Sequence, residues 1–196
     1  MAKVHLPPKR ATAMLYPGMS TFVTCKDGDR DNIITITWQS SFCPDPPVLG
    51  ISVTPKRFSY DIIKNSGEYI INIPNKELLW ELHYCGFMSG RDVDKFEKTG
   101  LTRGKANVLT NAPIIEECIG HIECKICNTY PIAEGAYSLF VAEPVSVTVD
   151  DRYFNDAGWI TGAKGAETLH YLGGTRYAML GETVDFKEAA KPEKAQ

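Results

Sequence analysis

Asn32-Ile33-Ile34-Thr35-Ile36-Thr37-Trp38 follows directly on a polar turn, Lys26-Asp27-Gly28-Asp29-Arg30-Asp31. Residues 33–38 have the β-branched and aromatic makeup of a strand. Residues 21–25 before the turn have the same character, so the two runs predict a hairpin around Asp27-Gly28. A strand buried on both faces would not ordinarily place Asn, Thr, Thr and Trp so close together. One reading is a strand that lines a site, offering amide and hydroxyl groups to a planar polar ligand and an indole for packing. The other is an edge strand with solvated threonines.

The next segment favours the first reading. After Phe42-Cys43-Pro44-Asp45-Pro46-Pro47 comes a second strand, residues 48–53, leading through Ser52 and Thr54 to Lys56, Arg57 and Ser59. Residues 60–65 read as a short helix, with Ser59 as N-cap and Gly67 as stop signal. A serine-capped helix start beside Lys56 and Arg57 suits a phosphate, because free amides, the helix dipole and a guanidinium fork converge on one anion. Strand and cradle together suit a nucleotide-like cofactor with a flat ring at one end.

These residues resemble the flavin reductase-like family of FMN-binding split barrels, in particular its flavoredoxin and ferric-reductase branch. The matching pieces are Asn32-x-x-Thr35-x-x-Trp38, Pro44-Asp45-Pro46-Pro47 and Arg57-x-Ser59. Further on, Ser89-Gly90-Arg91-Asp92-Val93-Asp94-Lys95-Phe96 is similar to the family's second flavin-contacting loop. The segment 135–145 resembles its central strand, and His170-Tyr171-Leu172-Gly173-Gly174 with Tyr177 its C-terminal signature. The similarity spans roughly residues 10–182.

The resemblance implies a mainly β, antiparallel, Greek-key-like split barrel with a few short helices, binding FMN. Asn32, Thr35 and Trp38 would lie by the isoalloxazine ring and ribityl chain. Ser52, Thr54, Arg57 and Ser59 would hold the phosphate, with Ser89 and Arg91 on the second loop. Lys95 would bring positive charge near the phosphate or the N1–C2 edge of the ring, where it favours reduced flavin. His170 would approach the flavin or a partner subunit. Tyr137 stands two residues after Gly135, where many relatives carry histidine. That departure puts efficient use of NAD(P)H in doubt. The implied activity passes electrons from NAD(P)H or a redox protein through FMN to flavin, ferric iron or a protein acceptor, in a homodimer. The flavin carries the chemistry, so no catalytic acid or nucleophile is required. The alternative is a flavin-binding electron carrier or sensor without turnover.

Composition agrees. A chain of 196 residues with 43% hydrophobic and 23% charged residues suits one domain with a full core. A net charge of −3 gives no electrostatic case for nucleic acid. The first residues carry no apolar run of signal-peptide length, and no run elsewhere could span a membrane, so the expected location is the cytoplasm. The six cysteines are then expected as reduced thiols. Cys124 and Cys127 form a CxxC, but residues 119–128 alternate like a strand. Positions three apart on a strand face opposite sides about 10 Å apart, too far for a disulfide. No second CxxC supports zinc, and no metal site is expected.

Other strands are expected at residues 69–72, 114–118, 121–128 and 138–149, and helices at 60–65, 76–84 and 92–98. Many short strands separated by turns suggest a closed or nearly closed antiparallel barrel. Gly158, Gly162 and Gly165 do not make a dinucleotide fingerprint. Trp80 and Trp159 read as core or interface anchors, His83 and His121 as structural or exposed, and residues 187–196 as a frayed tail.

Overall fold

The hairpin expected around Asp27-Gly28 forms. In the computed structural model, which describes residues 5–156, 158–180 and 183, α1 (Ala11–Met14) and β1 (Gly18–Met19) lead into β2 (Thr21–Asp27) and β3 (Arg30–Ile36). Their register runs from Thr21 opposite Ile36 to Asp27 opposite Arg30, closed by a two-residue turn in which Gly28 has φ +59°. The strand is shorter than expected at its far end. Pairing stops at Ile36, because the preceding Ser20 N–H donates to Leu169 O at 2.7 Å instead. Trp38 therefore lies past the strand, in the two-residue link before β4 (Gln39–Pro44), which pairs with β5 (Pro47–Val53). The sequence reading missed β4, an edge strand whose run of exposed residues, Ser40, Ser41 and Phe42, and bulge at Ser41/Cys43 erase the alternation expected of a strand.

The helix after Arg57 is α2 (Ser59–Ser66), ended by Gly67 at φ +70° as anticipated. Ser59 is not its N-cap, however. It is the first helical residue and fully buried, and its hydroxyl is engaged by Asn32. β6 (Glu68–Ile73) follows, then a 3-10 turn, Lys76–Leu78, that continues as α3 (Leu79–Phe87), and then α4 (Lys95–Thr99), N-capped by Asp94. The expected strand at 114–118 shrinks to β8 (Ile114–Ile115), paired with β7 (Arg103–Gly104), because the chain turns at Glu116. Two long strands, β9 (Gly120–Ile132) and β10 (Tyr137–Val149), precede the short pair β11 (Phe154–Asn155) and β12 (Gly158–Trp159), and the hairpin β13 (Leu169–Gly173) and β14 (Arg176–Met179). Residues 187–196, read as a frayed tail, lie outside the described residues.

Seven strands form one antiparallel sheet in the order β3-β2-β6-β9-β10-β5-β4. Its inner face packs Val23, Ile34, Ile36, Ile51 and Phe140 against Ile62 and Ile63 of α2. A second core lies under α3 and α4, where Phe22 and Ile33 meet Leu82, Phe96 and Leu169. β3 is thus covered on both faces, which explains its consecutive isoleucines. Cys124 is in the core and Cys127 exposed, on opposite faces as expected, and all six cysteines are free thiols. Trp159 packs beside Tyr153 and Ile119, but Trp80 is 58% exposed and stacks on Tyr84, so it is not a core anchor. His121 is structural, its Nδ1 lying 3.0 Å from Asn72 Oδ1.

Candidate functional site

Lys95 is the most unusual side chain in the fold. It stands in the first turn of α4 and is only 4% exposed, yet among the described residues it has no carboxylate partner. Its ammonium donates to Ile33 O on β3 and to Cys85 O on α3, both at 2.7 Å. Carbonyls near the C-terminal end of a helix suit a cation. Burial pushes its pKa down to about 8, and the charge of Arg57 pushes it the same way. An ammonium has three donors and carbonyls take two here. The third remains for a ligand in the cavity that Lys95 lines.

That cavity is bounded by Asn32, Lys56, Arg57, Phe58, Ser59, Ser89, Gly90, Arg91 and Lys95. Asn32 Nδ2 donates to Ser59 Oγ at 2.7 Å, tying β3 to α2. The loop before α4 crosses so close that a Cβ on Gly90 would overlap Asn32 Oδ1 and stand 2.6 Å from Phe58 Cδ1. Ser89 Oγ accepts from Arg91 N at 3.2 Å. The Arg91 guanidinium donates to Lys56 O at 3.1 Å and lies over the Phe58 ring. Among the described residues, Lys56, Arg57, Arg91 and Lys95 form no ion pair. Four cations without a counter-charge make an anion site.

Arg57 also borders a second cavity, formed by Tyr16, residues 34–38, Ser52, Val53, Thr54 and Tyr137. Its walls include hydroxyls, aliphatic side chains and three aromatic rings, Tyr16, Trp38 and Tyr137, the last two with centroids 5.2 Å apart. A third hollow joins it at Thr35, Thr37 and Arg57 and adds Gly86, Phe87, Tyr171 and Tyr177. Thr35 Oγ1 donates to Leu82 O at 2.6 Å, which fixes α3 against β3. The cleft therefore runs from a basic end to a neutral aromatic end. The chemistry of this donor set fits a phosphate monoester carrying a flat ring.

The sequence-expected residues converge on this cleft, with changes of place. Asn32 lies at the basic end and not among the aromatic rings, because β3 runs from that end toward Trp38. Ser52 and Thr54 lie with Trp38 and Tyr137 in the cavity that Arg57 also borders, and outside the one lined by Arg91 and Lys95. Arg57, Ser59, Ser89, Arg91 and Lys95 do gather around the anion cavity. His170 borders none of these three cavities. Its Nε2 lies 3.0 Å from Thr168 Oγ1, and its neighbour Tyr171 faces the cleft with Tyr177. Thr37 and Lys56, read in the sequence with the lining strand and the phosphate cradle, border the cleft too, whereas Phe58 and Phe87 were missed. Period-two alternation places Thr37 on the face of Thr35.

The family model of the flavin reductase like domain matches residues 13–177. The chain belongs to the flavin reductase-like family. A relative from Archaeoglobus fulgidus, itself uncharacterized, is 30% identical over 139 residues, covering 71% of this chain and 76% of the relative. Among solved structures, the flavoredoxin of Desulfovibrio vulgaris (Miyazaki F) aligns with a TM-score of 0.79 at 26% identity, covering 100% of this chain and 99% of that one. An FMN-binding protein from Thermus thermophilus, solved with bound 1-cyclohex-2-enone, aligns at 0.79 and 24% identity, covering 94% and 97%. These likenesses establish the mainly β, antiparallel split barrel for this family member. Among the described residues no cluster could hold a metal ion, and no helix is long and apolar enough to cross a membrane.

Proposed function

We propose that this flavin reductase-like protein binds FMN in the cleft and works as an oxidoreductase. The observation that carries the reading is the ion-pair-free basic cluster around the buried Lys95 ammonium, joined through Arg57 to the Trp38–Tyr137 end. Lys95, Arg57 and Arg91 would hold the phosphate, with Lys56, Ser59 and Ser89 around it. Thr35, Thr37, Ser52 and Thr54 would offer hydroxyls to the ribityl chain and ring edge, and Trp38 and Tyr137 would flank the ring. Bound FMN would supply the one- and two-electron chemistry. The protein's own residues bind the phosphate, orient the ring and leave the aromatic end open to a donor and an acceptor.

In this reading electrons enter from NAD(P)H or a redox protein and leave to flavin, ferric iron or a protein. The active form is a homodimer. Its support is the exposed Phe154, paired edge-to-face with Trp159, in the segment expected to reach across, and the prevalence of isologous dimers. Six free thiols support a reducing compartment such as the cytoplasm.

The test compares FMN with riboflavin. Arg91 borders only the anion cavity, so Arg91→Ala should weaken FMN about tenfold and leave riboflavin unchanged. Arg57 borders both cavities, so Arg57→Ala should weaken FMN about thirtyfold and riboflavin to a lesser degree. Equal losses for both ligands in both variants would remove the phosphate from this cavity. Steady NAD(P)H oxidation with added flavin separates a reductase from a carrier without turnover. A monomer by light scattering at micromolar concentration, with flavin bound, would rule out the dimer.

A further inference from the structure

Arg103, on the short strand β7, borders none of the three cavities, yet it joins the two segments that build the basic one. Its Nε and Nη2 donate to the Asp31 carboxylate on β3 at 2.6 and 3.1 Å. Nη2 also donates to both carboxylate oxygens of Asp94, at 3.2 and 2.9 Å. The Phe96 ring backs the guanidinium, its centroid 4.1 Å from Cζ. Asp94 is the N-cap of α4 and accepts from Glu97 N at 3.0 Å. Arg103 itself has a firm base. β7 pairs with β8, and the preceding Thr102 N donates to the Glu117 carboxylate at 3.0 Å.

The residues that follow these two aspartates are Asn32 and Lys95. Successive strand residues face opposite ways, so Asp31 meets Arg103 on one side of β3 while Asn32 meets Ser59 on the other. Ile33 O, one of the two carbonyls that hold Lys95, is on the same strand. β3 and α4 are thus joined twice, by the buried bond from Lys95 to Ile33 O and by the half-exposed Arg103 fork. Without the guanidinium, two carboxylates would face each other across this joint and repel.

We infer that Arg103 is a positioning residue of the anion site. By bridging Asp31 and Asp94 it holds α4 against β3 and so aims the Lys95 ammonium at the cavity, without touching the ligand itself. The role calls for a guanidinium, because an ammonium is a point charge and does not fork onto two carboxylates. That Lys95 serves a phosphate rests on the proposed function above. That Arg103 fixes Lys95 does not, because every contact in the joint is made by the chain alone.

The test begins with the flavin-free protein. Arg103→Met keeps a side chain over Phe96, and Arg103→Lys keeps the charge; circular dichroism checks that both fold. The readout is the titration of Lys95, followed by NMR of the lysine side chains. The titratable and charged groups around its ammonium are Cys85 of α3, Arg57 ahead of α2 and Cys25 of β2. Burial pushes both thiols up to about 12, so among these groups Lys95 alone changes charge between pH 7 and pH 10. In the wild type the midpoint should lie at about 8. In both variants a loosened α4 admits water, and the midpoint should rise to about 9 or above, toward the ordinary 10.5. Lower stability in a chain that is still folded leaves that midpoint where it was. A midpoint unchanged in both variants would overturn the proposal. So would one that moves in Arg103→Met alone, because Arg103 would then act as a charge and not as a fork. With FMN added at pH 7, both variants should bind about tenfold more weakly than wild type, with riboflavin unaffected. Wild-type FMN affinity in both variants would also overturn it. FMN that binds none of the three proteins, while the midpoint moves as expected, would sink the flavin reading and leave the Arg103 clamp standing.

Discussion

Asn32 and Ser59 are 27 residues apart in sequence, yet their side chains meet in the interior at 2.7 Å, the amide donating to the hydroxyl. The contact sets α2 against the hairpin and shapes the floor of the anion cavity. Asn32→Ala would leave the buried Ser59 hydroxyl without this partner. It should cost about 1–3 kcal/mol of stability in urea denaturation and weaken FMN more than it weakens riboflavin. A variant with wild-type stability would show that the contact adds nothing to the fold.

If Lys95 holds the phosphate as proposed, FMN affinity should depend on pH. In the free folded protein it titrates at about 8, against an ordinary value of 10.5. Between those values the unfolded chain binds more protons, so the stability of the free protein rises with pH across that window. Phosphate binding runs the other way, because it needs the ammonium. From pH 7 to pH 9 FMN affinity should fall about tenfold as the protonated fraction drops, while riboflavin affinity stays level. Lys95→Met should bind FMN weakly at every pH and abolish the slope. A slope that survives in Lys95→Met would assign it to another group.

Glu123 holds the loop ahead of β8 through three backbone amides: Asn107 at 2.7 Å, Val108 at 2.9 Å and Leu109 at 2.7 Å. Burial alone would raise its pKa, but the amides outweigh it and hold the carboxyl below its ordinary 4.5. The stabilisation is complete above the unfolded value and is lost as pH falls through the folded one. Glu123→Gln should therefore cost about 1–3 kcal/mol at pH 7, with the gap to wild type narrowing in acid. Hydrogen exchange at residues 107–109 should accelerate in the variant, and an unchanged rate would count against this anchor.

Tyr137 packs against Trp38 at the aromatic end. Nicotinamide must be held close to the ring for hydride transfer, and a poorly formed stacking site slows it steeply. Tyr137→His should raise NAD(P)H turnover while FMN affinity stays nearly constant. Reduction of the unmodified protein by NAD(P)H at tens per second in anaerobic stopped-flow, an ordinary enzymatic rate, would show that Tyr137 is no obstacle.

The hairpin and the helix stop were legible because each rests on local chemistry, β-branched runs about an Asp-Gly turn and a glycine in left-handed conformation. The basic end was legible too, through Arg57, Ser59, Arg91 and Lys95. What the sequence did not show was set by tertiary contact. Ser59 gave up its capping role because Asn32 reached it from another strand. Ser52 and Thr54 share a cavity with Arg57, but it is the one walled by Trp38 and Tyr137, and they do not border the one that Arg91 and Lys95 line. β4 was invisible because an exposed edge strand needs no apolar alternation.

The two carbonyls that hold Lys95 have a mechanical consequence. Ile33 belongs to the hairpin, Cys85 to α3 and the ammonium to α4, while Ser59 and Arg57 bring in α2. A phosphate bound there would act as a rivet joining the hairpin to three helices. At a hundredfold excess over its dissociation constant, a ligand that binds only the folded state adds about 2.7 kcal/mol. That reinforcement would act on the joint between hairpin and helices and leave the far edge of the sheet as it was, so cofactor loss would first be felt as loosening of α3 and α4.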